Sequence, residues 1–179
     1  MVSSRRPAGR IKGLGGVRGR PRRIVTLRDS DAAVLRRRSR PIRTVDRTTR
    51  QLVADMLVSM RRAQGIGLAA PQIGVPVRLF VADIGPGPLA VVNPRVRRRR
   101  GSQVGIEGCL SIPGVYGDVR RARAIEVEGR DLRGRRIVVT GEDLLARVVQ
   151  HEIDHLNGVL FIDPGRLLRR RRRRVRRAG

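Results

Sequence analysis

His151-Glu152-Ile153-Asp154-His155 contains the only two histidines of this 179-residue chain. Residues four apart on an α-helix lie one turn apart on the same face, so both imidazoles can reach one metal ion. The glutamate between them suits a base that takes a proton from water whose pKa the ion has lowered. The pattern therefore predicts a helix that carries two metal ligands, His151 and His155, beside a general base, Glu152.

A third ligand is expected because catalytic metal sites usually have three protein ligands and one open position. The only cysteine of the chain, Cys109, lies in Glu107-Gly108-Cys109-Leu110-Ser111. A thiolate is a strong donor for zinc or iron. A lone cysteine is more often a small buried apolar residue, but the paired histidines favour ligation, so Cys109 is predicted as the third ligand.

The stretch Gly65-Ile66-Gly67-Leu68-Ala69-Ala70-Pro71-Gln72 is rich in small residues. Small residues let another backbone approach closely, which suits a peptide that adds as a β-strand. The side-chain amide of Gln72 can donate to a developing oxyanion. Taken alone, this segment is explained more simply as a Gly-rich turn after a helix.

The ends of the chain carry most of its charge. The sequence has 41 Lys and Arg against 15 Asp and Glu, a formal net charge of +26. Residues 1–23 hold eight basic side chains and residues 164–179 hold nine, and neither end has an acidic one. We expect residues 1–23 to be a disordered extension. Compositional drift in a GC-rich coding sequence and selection for a polyanionic partner explain the charge equally well.

Length and composition indicate one globular domain. No apolar run approaches the ~20 residues of a membrane span, so no membrane association is expected. The N-terminus lacks the apolar segment of a secretory signal. A single cysteine cannot form an internal disulfide, which favours a reduced, cytoplasmic setting.

Periodicity predicts two helices. An apolar stripe from Leu52 to Met60 predicts the first, from Asp46 to Gln64, capped by Asp46 or Thr44. The second, capped by Thr140 and ending near Asn157, carries the histidines and is expected to be central and buried. Strands are predicted at 24–27, 77–83, 89–93, 124–128, 136–139 and 159–162, with a hairpin turn at 131–134, a charged loop at 97–100 and an end of regular structure at 163–165.

Together the three motifs resemble those of the peptide deformylase family. That family carries G-Φ-G-Φ-A-A-x-Q, E-G-C-Φ-S and H-E-Φ-D-H in this order (Φ is apolar), and all three are intact at Gly65–Gln72, Glu107–Ser111 and His151–His155. Weaker similarity runs from about residue 24 to residue 163, which we take as the catalytic domain. The remaining 164–179 is then an Arg-rich tail.

The resemblance implies an α+β fold in which antiparallel β-sheets pack around a central C-terminal helix that carries the HExxH motif. It implies a metal-dependent hydrolase that removes the formyl group from N-formylmethionyl peptides and releases formate. Cys109, His151 and His155 would hold the metal, and Glu152 would move the proton from water to the leaving amine. The oxyanion would be stabilised by Gln72 and the backbone N–H of Leu110. The substrate would contact Ile66, Gly67, Glu107, Gly108, Leu144 and Val148.

The family also implies the cofactor and the partners. One divalent ion is expected, with Fe(2+) the usual ion in bacteria and Zn(2+), Ni(2+) or Co(2+) as substitutes. The substrates would be nascent N-formylmethionyl peptides, and the Arg-rich tails would offer contact with ribosomal RNA. Some members place a substrate-binding arginine seven residues after the cysteine, where this chain has Tyr116.

Three alternatives stay open on the residues. One is a zinc metallopeptidase, although its third ligand normally follows the second histidine and only Asp163 is available there. Another is a nucleic-acid-binding protein that keeps a metal site, although the chain has almost no aromatic residues for base stacking. The third is a paralogue with intact motifs and reduced activity or another acyl substrate.

Overall fold

The computed structural model describes Leu14 and residues 16–171. Within that part, two α-helices and eight β-strands follow one another along the chain. They are α1 (Arg47–Arg62), β1 (Gly67–Ala69), β2 (Leu79–Ala82), β3 (Leu89–Arg100), β4 (Gln103–Cys109), β5 (Ile112–Arg121), β6 (Ala124–Arg130), β7 (Arg136–Glu142), α2 (Asp143–Leu156) and β8 (Leu167–Arg171). Short 3-10 helices occupy Ala32–Arg36 and Ala70–Ile73.

The strands form two antiparallel sheets. Five strands pair in the order β1-β2-β3-β6-β7, and three pair in the order β4-β5-β8. The predicted turn at 131–134 joins β6 to β7, which pair from Ala124 with Glu142 to Arg130 with Arg136. The fold is α+β, as the resemblance implied.

Helix α1 forms where its apolar stripe was predicted. Asp46 is its N-cap, and the Asp46 carboxylate accepts a hydrogen bond of 2.8 Å from the backbone N–H of Thr49. The buried side chains Val53, Met56 and Met60 pack in one core with residues of β1, β2 and β3. Burying each such side chain contributes roughly 1.5–3 kcal/mol, so packing of this face fixes the helix against the sheet.

Helix α2 is the central helix. Its buried residues Ala146, Val149, Ile153 and Leu156 pack in a second core with residues of β1, β2, β3 and β6. Because this face is held by the larger sheet, the histidines on an adjacent face are carried by a rigid element. The helix ends at Leu156, and Gly158 follows in a left-handed conformation with a φ of 75°.

Several predicted boundaries are wrong, and backbone pairing explains most of the differences. Thr140 does not cap α2, because β7 continues to Glu142 and the helix begins after it. The predicted charged loop at 97–100 is the end of β3, where Arg98 and Arg100 pair with Glu126 and Ala124 of β6. Residues 24–27 and 159–162 form no strand. Strands β4 and β5 were not predicted.

The two Arg-rich ends are partly described. Residues 1–13, 15 and 172–179, within the predicted extension and tail, lie outside the described residues. Residues 16–23 run along α1, where the backbone N–H of Arg20 donates to Asp55 and that of Arg22 donates to Ser59, both at 2.8 Å. Regular structure does not end at residues 163–165, because β8 pairs with β5. Both ends therefore contribute backbone hydrogen bonds to the fold.

Among residues 14 and 16–171, no helix combines the length and apolar character needed to cross a bilayer.

Candidate functional site

Three sulfur and nitrogen atoms meet between α2 and the end of β4. The Sγ of Cys109 lies 3.2 Å from Nε2 of His155, which lies 3.2 Å from Nε2 of His151. One ligand atom from each of the three residues lies within 4.8 Å of the others. Bond lengths of 2.0–2.3 Å place the ligands of a tetrahedral ion roughly 3.3–3.8 Å apart. Two of the three separations are close to this range, so the three residues could hold one metal ion after small shifts of their side chains.

The two histidines differ in protonation, and only that of His155 suits ligation directly. Burial lowers the pKa of His155 well below its usual value, and the neighbouring charges of His151 and Arg121 lower it further. Its ring is therefore neutral, the form that binds a metal. Burial also opposes the charged form of His151, but the hydrogen bonds with Cys109 and Glu107 outweigh this effect and raise its pKa. A metal that binds here would displace the proton that the raised pKa keeps on His151.

A buried ion network holds His151 in place. Nδ1 of His151 lies 2.9 Å from a carboxylate oxygen of Glu107. Both oxygens of Glu107 accept hydrogen bonds from the guanidinium of Arg121, at 2.8 and 2.9 Å. Arg121 also pairs with Asp154 of α2. Burial raises the pKa of Glu107, but the hydrogen bonds from Arg121 and His151 outweigh it and lower the pKa to about 2. The carboxylate therefore stays ionised and fixes the histidine ring.

Glu152 is buried beside the two histidines and is not part of the Cys109, His151 and His155 group. It is 3% exposed, and its Oε2 has no hydrogen-bond partner among the described residues. Burial raises its pKa to about 7. A side chain on Gly67 would bring a Cβ within 2.2 Å of Oε1 of Glu152. A larger residue at position 67 would therefore displace the Glu152 carboxylate, over which β1 passes directly.

Gln72 points its amide nitrogen at the group formed by Cys109, His151 and His155. Its Oε1 accepts a hydrogen bond of 2.8 Å from the backbone N–H of Ala69, which orients the amide group. Its Nε2 lies 3.5 Å from Sγ of Cys109 and 3.3 Å from Oγ of Ser111. The amide donor is therefore held beside the sulfur of Cys109, at the wall of the cavity.

One cavity of about 480 Å³ brings almost all the predicted site residues together. Those that line it are Ile66, Gly67, Gln72, Glu107, Gly108, Cys109, Leu110, Leu144, Val148, His151 and Glu152. His155 is 1% exposed and does not line the cavity, but it lies beside Cys109 and His151 as the third candidate ligand. Glu107, predicted to contact the substrate, lines the cavity, and its carboxylate is held by Arg121 and His151.

Three residues near the site were not predicted to act there. Arg121 has partners 14 and 33 residues away, so no local pattern marked it. Arg147 lines the cavity and lies four residues before His151, a helical spacing that was available as a signal. Ser111 lies at the end of the cysteine motif and contacts Gln72. Tyr116 also lines the cavity.

The fold and the site define a metallohydrolase with a cysteine and two histidines at its metal centre. The sequence model of the polypeptide deformylase family matches residues 21–171. Peptide deformylase of Alkaliphilus metalliredigens is 43% identical over 140 residues, which cover 78% of this chain and 95% of the relative. That of Thermoanaerobacter pseudethanolicus is 49% identical over 130 residues, or 73% of this chain and 82% of the relative.

Solved structures show the same fold. The peptide deformylase of Thermotoga maritima superposes with a TM-score of 0.77 at 40% identity, covering 80% of this chain and 97% of that one. The Synechococcus elongatus enzyme, in complex with actinonin, gives a TM-score of 0.75 at 44% identity, covering 79% and 78%. The chain belongs to the peptide deformylase family, and it is a hydrolase that removes the formyl group from N-terminal formylmethionine and releases formate.

Proposed function

We propose that Cys109, His151 and His155 hold the single divalent ion of this enzyme and that Glu152, Gln72 and Leu110 carry the reaction. The observation that supports this most strongly is the convergence of three ligand atoms, an unpartnered carboxylate oxygen and an amide donor on one cavity. When bound, the ion supplies Lewis acidity to the carbonyl and lowers the pKa of water. Fe(2+) is proposed as the natural ion, with Zn(2+), Ni(2+) or Co(2+) as substitutes.

The protein residues then divide the remaining work. The Glu152 carboxylate accepts the proton of the attacking water and later donates it to the amine that leaves. The amide of Gln72 and the backbone N–H of Leu110 donate hydrogen bonds to the tetrahedral oxyanion. Glu107 positions His151 from behind. The substrate contact proposed for Glu107 is compatible with this role if it is made by the backbone.

The substrate is proposed to be a nascent N-formylmethionyl peptide. Its backbone would pair along Ile66 and Gly67, which edge the cavity, and pass Gly108 on the other side. Leu144 and Val148 offer apolar surface for the methionine side chain. Cytoplasmic location and contact of the Arg-rich tails with ribosomal RNA belong to the same proposal, as do the domain bounds of 24–163.

Formate release tests the proposal. The protein is purified without oxygen, because a metal-bound thiolate is an oxidation target, and its metal content is measured. It is then expected to release formate from a formyl-Met dipeptide. The matched unformylated dipeptide is the control, and it should not be cleaved. Cleavage of its peptide bond would favour the metallopeptidase alternative. No formate release from fully metallated protein would contradict the proposed activity.

Replacing Gln72 with Leu is expected to lower kcat by about 10²–10³-fold, since one oxyanion donor is removed from a buried site. The KM should change much less if the hydrogen bond forms mainly in the transition state. Steady-state kinetics on formyl-Met peptides measure both constants. Gln51→Leu on α1 is the matched control, because Gln51 lies outside the cavity. An unchanged kcat in the Gln72 variant would exclude this role.

A further inference from the structure

A second concave surface lies on the other side of α2 from the active site. A hollow of about 840 Å³ is lined by Arg38, Arg78, Arg95, Arg99, Arg130 and Arg136, together with Ser39, Pro41, Asn93, Pro94, Val96, Glu128, Gly129, Ile153 and Asn157. An adjoining hollow of about 580 Å³ shares Val96, Arg99, Ile153 and Asn157 with it and adds Arg120 and Arg166. The two form one continuous trough, here called the basic groove.

The charge of the groove does not simply follow from the composition of the chain. Arginine supplies six of the 15 residues around the larger hollow. The active-site cavity has 17 lining residues, of which Arg147 is the single arginine and two are glutamates. Positive charge is therefore concentrated on one concave surface and kept away from the other.

Arg78 anchors the groove with a charge that its own contacts do not neutralise. It is half-buried, and its guanidinium donates to the carbonyls of Leu156 and Pro94 and to the side-chain oxygen of Asn157, at 3.0–3.3 Å. All three acceptors are uncharged. Burial lowers the pKa of Arg78, and the positive charges of Arg38 and Arg95 lower it further. These like charges repel one another, so an anion between them would be stabilised.

The carboxylates at the groove are already engaged. Glu128 pairs with Arg97 and Arg136, both at 2.7 Å. Asp154 pairs with Arg121 and with Arg166. Among the described residues, no ion pair is formed by Arg38, Arg95, Arg99 or Arg130, so an external anion would meet free guanidinium groups. No aromatic side chain lines either hollow, which excludes base stacking as the main source of affinity.

We propose that the basic groove binds the phosphate backbone of RNA. An extended polyanion matches a long open trough better than a compact phosphate ligand does, and guanidinium groups bind phosphate oxygens in pairs. Binding through phosphates alone is independent of base sequence. The choice of RNA as the polyanion rests on the proposed substrate, a polypeptide that is still being made beside RNA. The site and its chemistry do not depend on the metal centre.

The test compares two triple variants of the full chain. Arg38→Gln, Arg95→Gln and Arg99→Gln together remove exposed charges of the groove while leaving Arg78 and its hydrogen bonds intact. Arg47→Gln, Arg62→Gln and Arg133→Gln together remove the same charge from α1 and the β6–β7 turn. Fluorescence anisotropy with a labelled 12-nucleotide oligouridylate measures Kd over a range of KCl concentrations. Both variants are assayed for formate release, which should stay within about twofold of the parent.

The groove variant is expected to bind RNA at least about tenfold more weakly near 0.1 M KCl. Its plot of log affinity against log salt should become shallower by about two, since each lost phosphate contact removes roughly 0.7. The control variant should lose less than about threefold. An equal loss in both variants would overturn the proposal in favour of diffuse charge. The proposal would also be overturned if inorganic tripolyphosphate bound as tightly as the oligonucleotide, because that result would indicate a compact anion site.

Discussion

Glu152→Gln is expected to lower kcat for a formyl-Met peptide by about 10²–10⁴-fold, the range over which a positioned acid–base group acts. Glutamine keeps the size of the side chain but cannot accept the proton of the attacking water. The carboxylate is buried, and one of its oxygens has no partner among the described residues. Nothing else in the described structure competes for that oxygen, so it is free to act on a water molecule in the cavity.

The experiment must separate loss of the base from loss of the metal. Anaerobically purified parent and variant are therefore compared at equal measured metal content, with single-turnover rates alongside kcat. Glu142→Gln is the matched control, because Glu142 is an exposed carboxylate at the start of the same helix and forms no side-chain cap there. It should retain full activity. A Glu152→Gln enzyme that keeps both its metal and its rate would show that the proton is moved by another group.

The sequence was most informative where local spacing controls the structure. The stripe at Val53, Met56 and Met60 defines one face of a helix, and that face is buried as predicted. The histidine pair depends on the helical repeat alone, so its two rings meet in the structure. The motifs around Cys109 and Gln72 have residue combinations that are unusual enough to identify a family. For these elements, a few neighbouring residues determine the geometry.

The sequence was least informative where pairing between distant segments controls the structure. Strand β4 contains Gly105 and Gly108, and its one buried residue is the charged Glu107, so it lacks the apolar signal of a strand. The arginines at the end of β3 have strand conformation because their backbone pairs with β6. Strand β8 depends on β5, about 50 residues earlier. Such hydrogen bonds leave little trace in the composition of either partner.

The largest loss of stability is expected from Arg121→Ala, at about 3–5 kcal/mol, because the buried cation shared by two carboxylates is removed. Among the described residues, Glu107 would then keep only His151 as a partner and Asp154 only the more exposed Arg166. Arg121 is 4% exposed and holds β5 to β4 and α2 through these two ion pairs. Urea unfolding of the metal-free protein measures the loss. Arg120→Ala, on the exposed side of the same strand, should change the free energy of unfolding by less than about 0.5 kcal/mol.

Arg121→Lys keeps the network testable if the alanine variant does not fold. An ammonium group cannot bind both oxygens of Glu107 as a guanidinium does, so only part of the stability should be recovered. Because Glu107 orients His151, we also expect metal affinity to fall by roughly 10–100-fold in the lysine variant. A purely structural role would reduce stability and leave metal affinity at the parent value. If Arg121→Lys matched the parent in both measurements, the bidentate contact with Glu107 would have no part in holding the metal ligand.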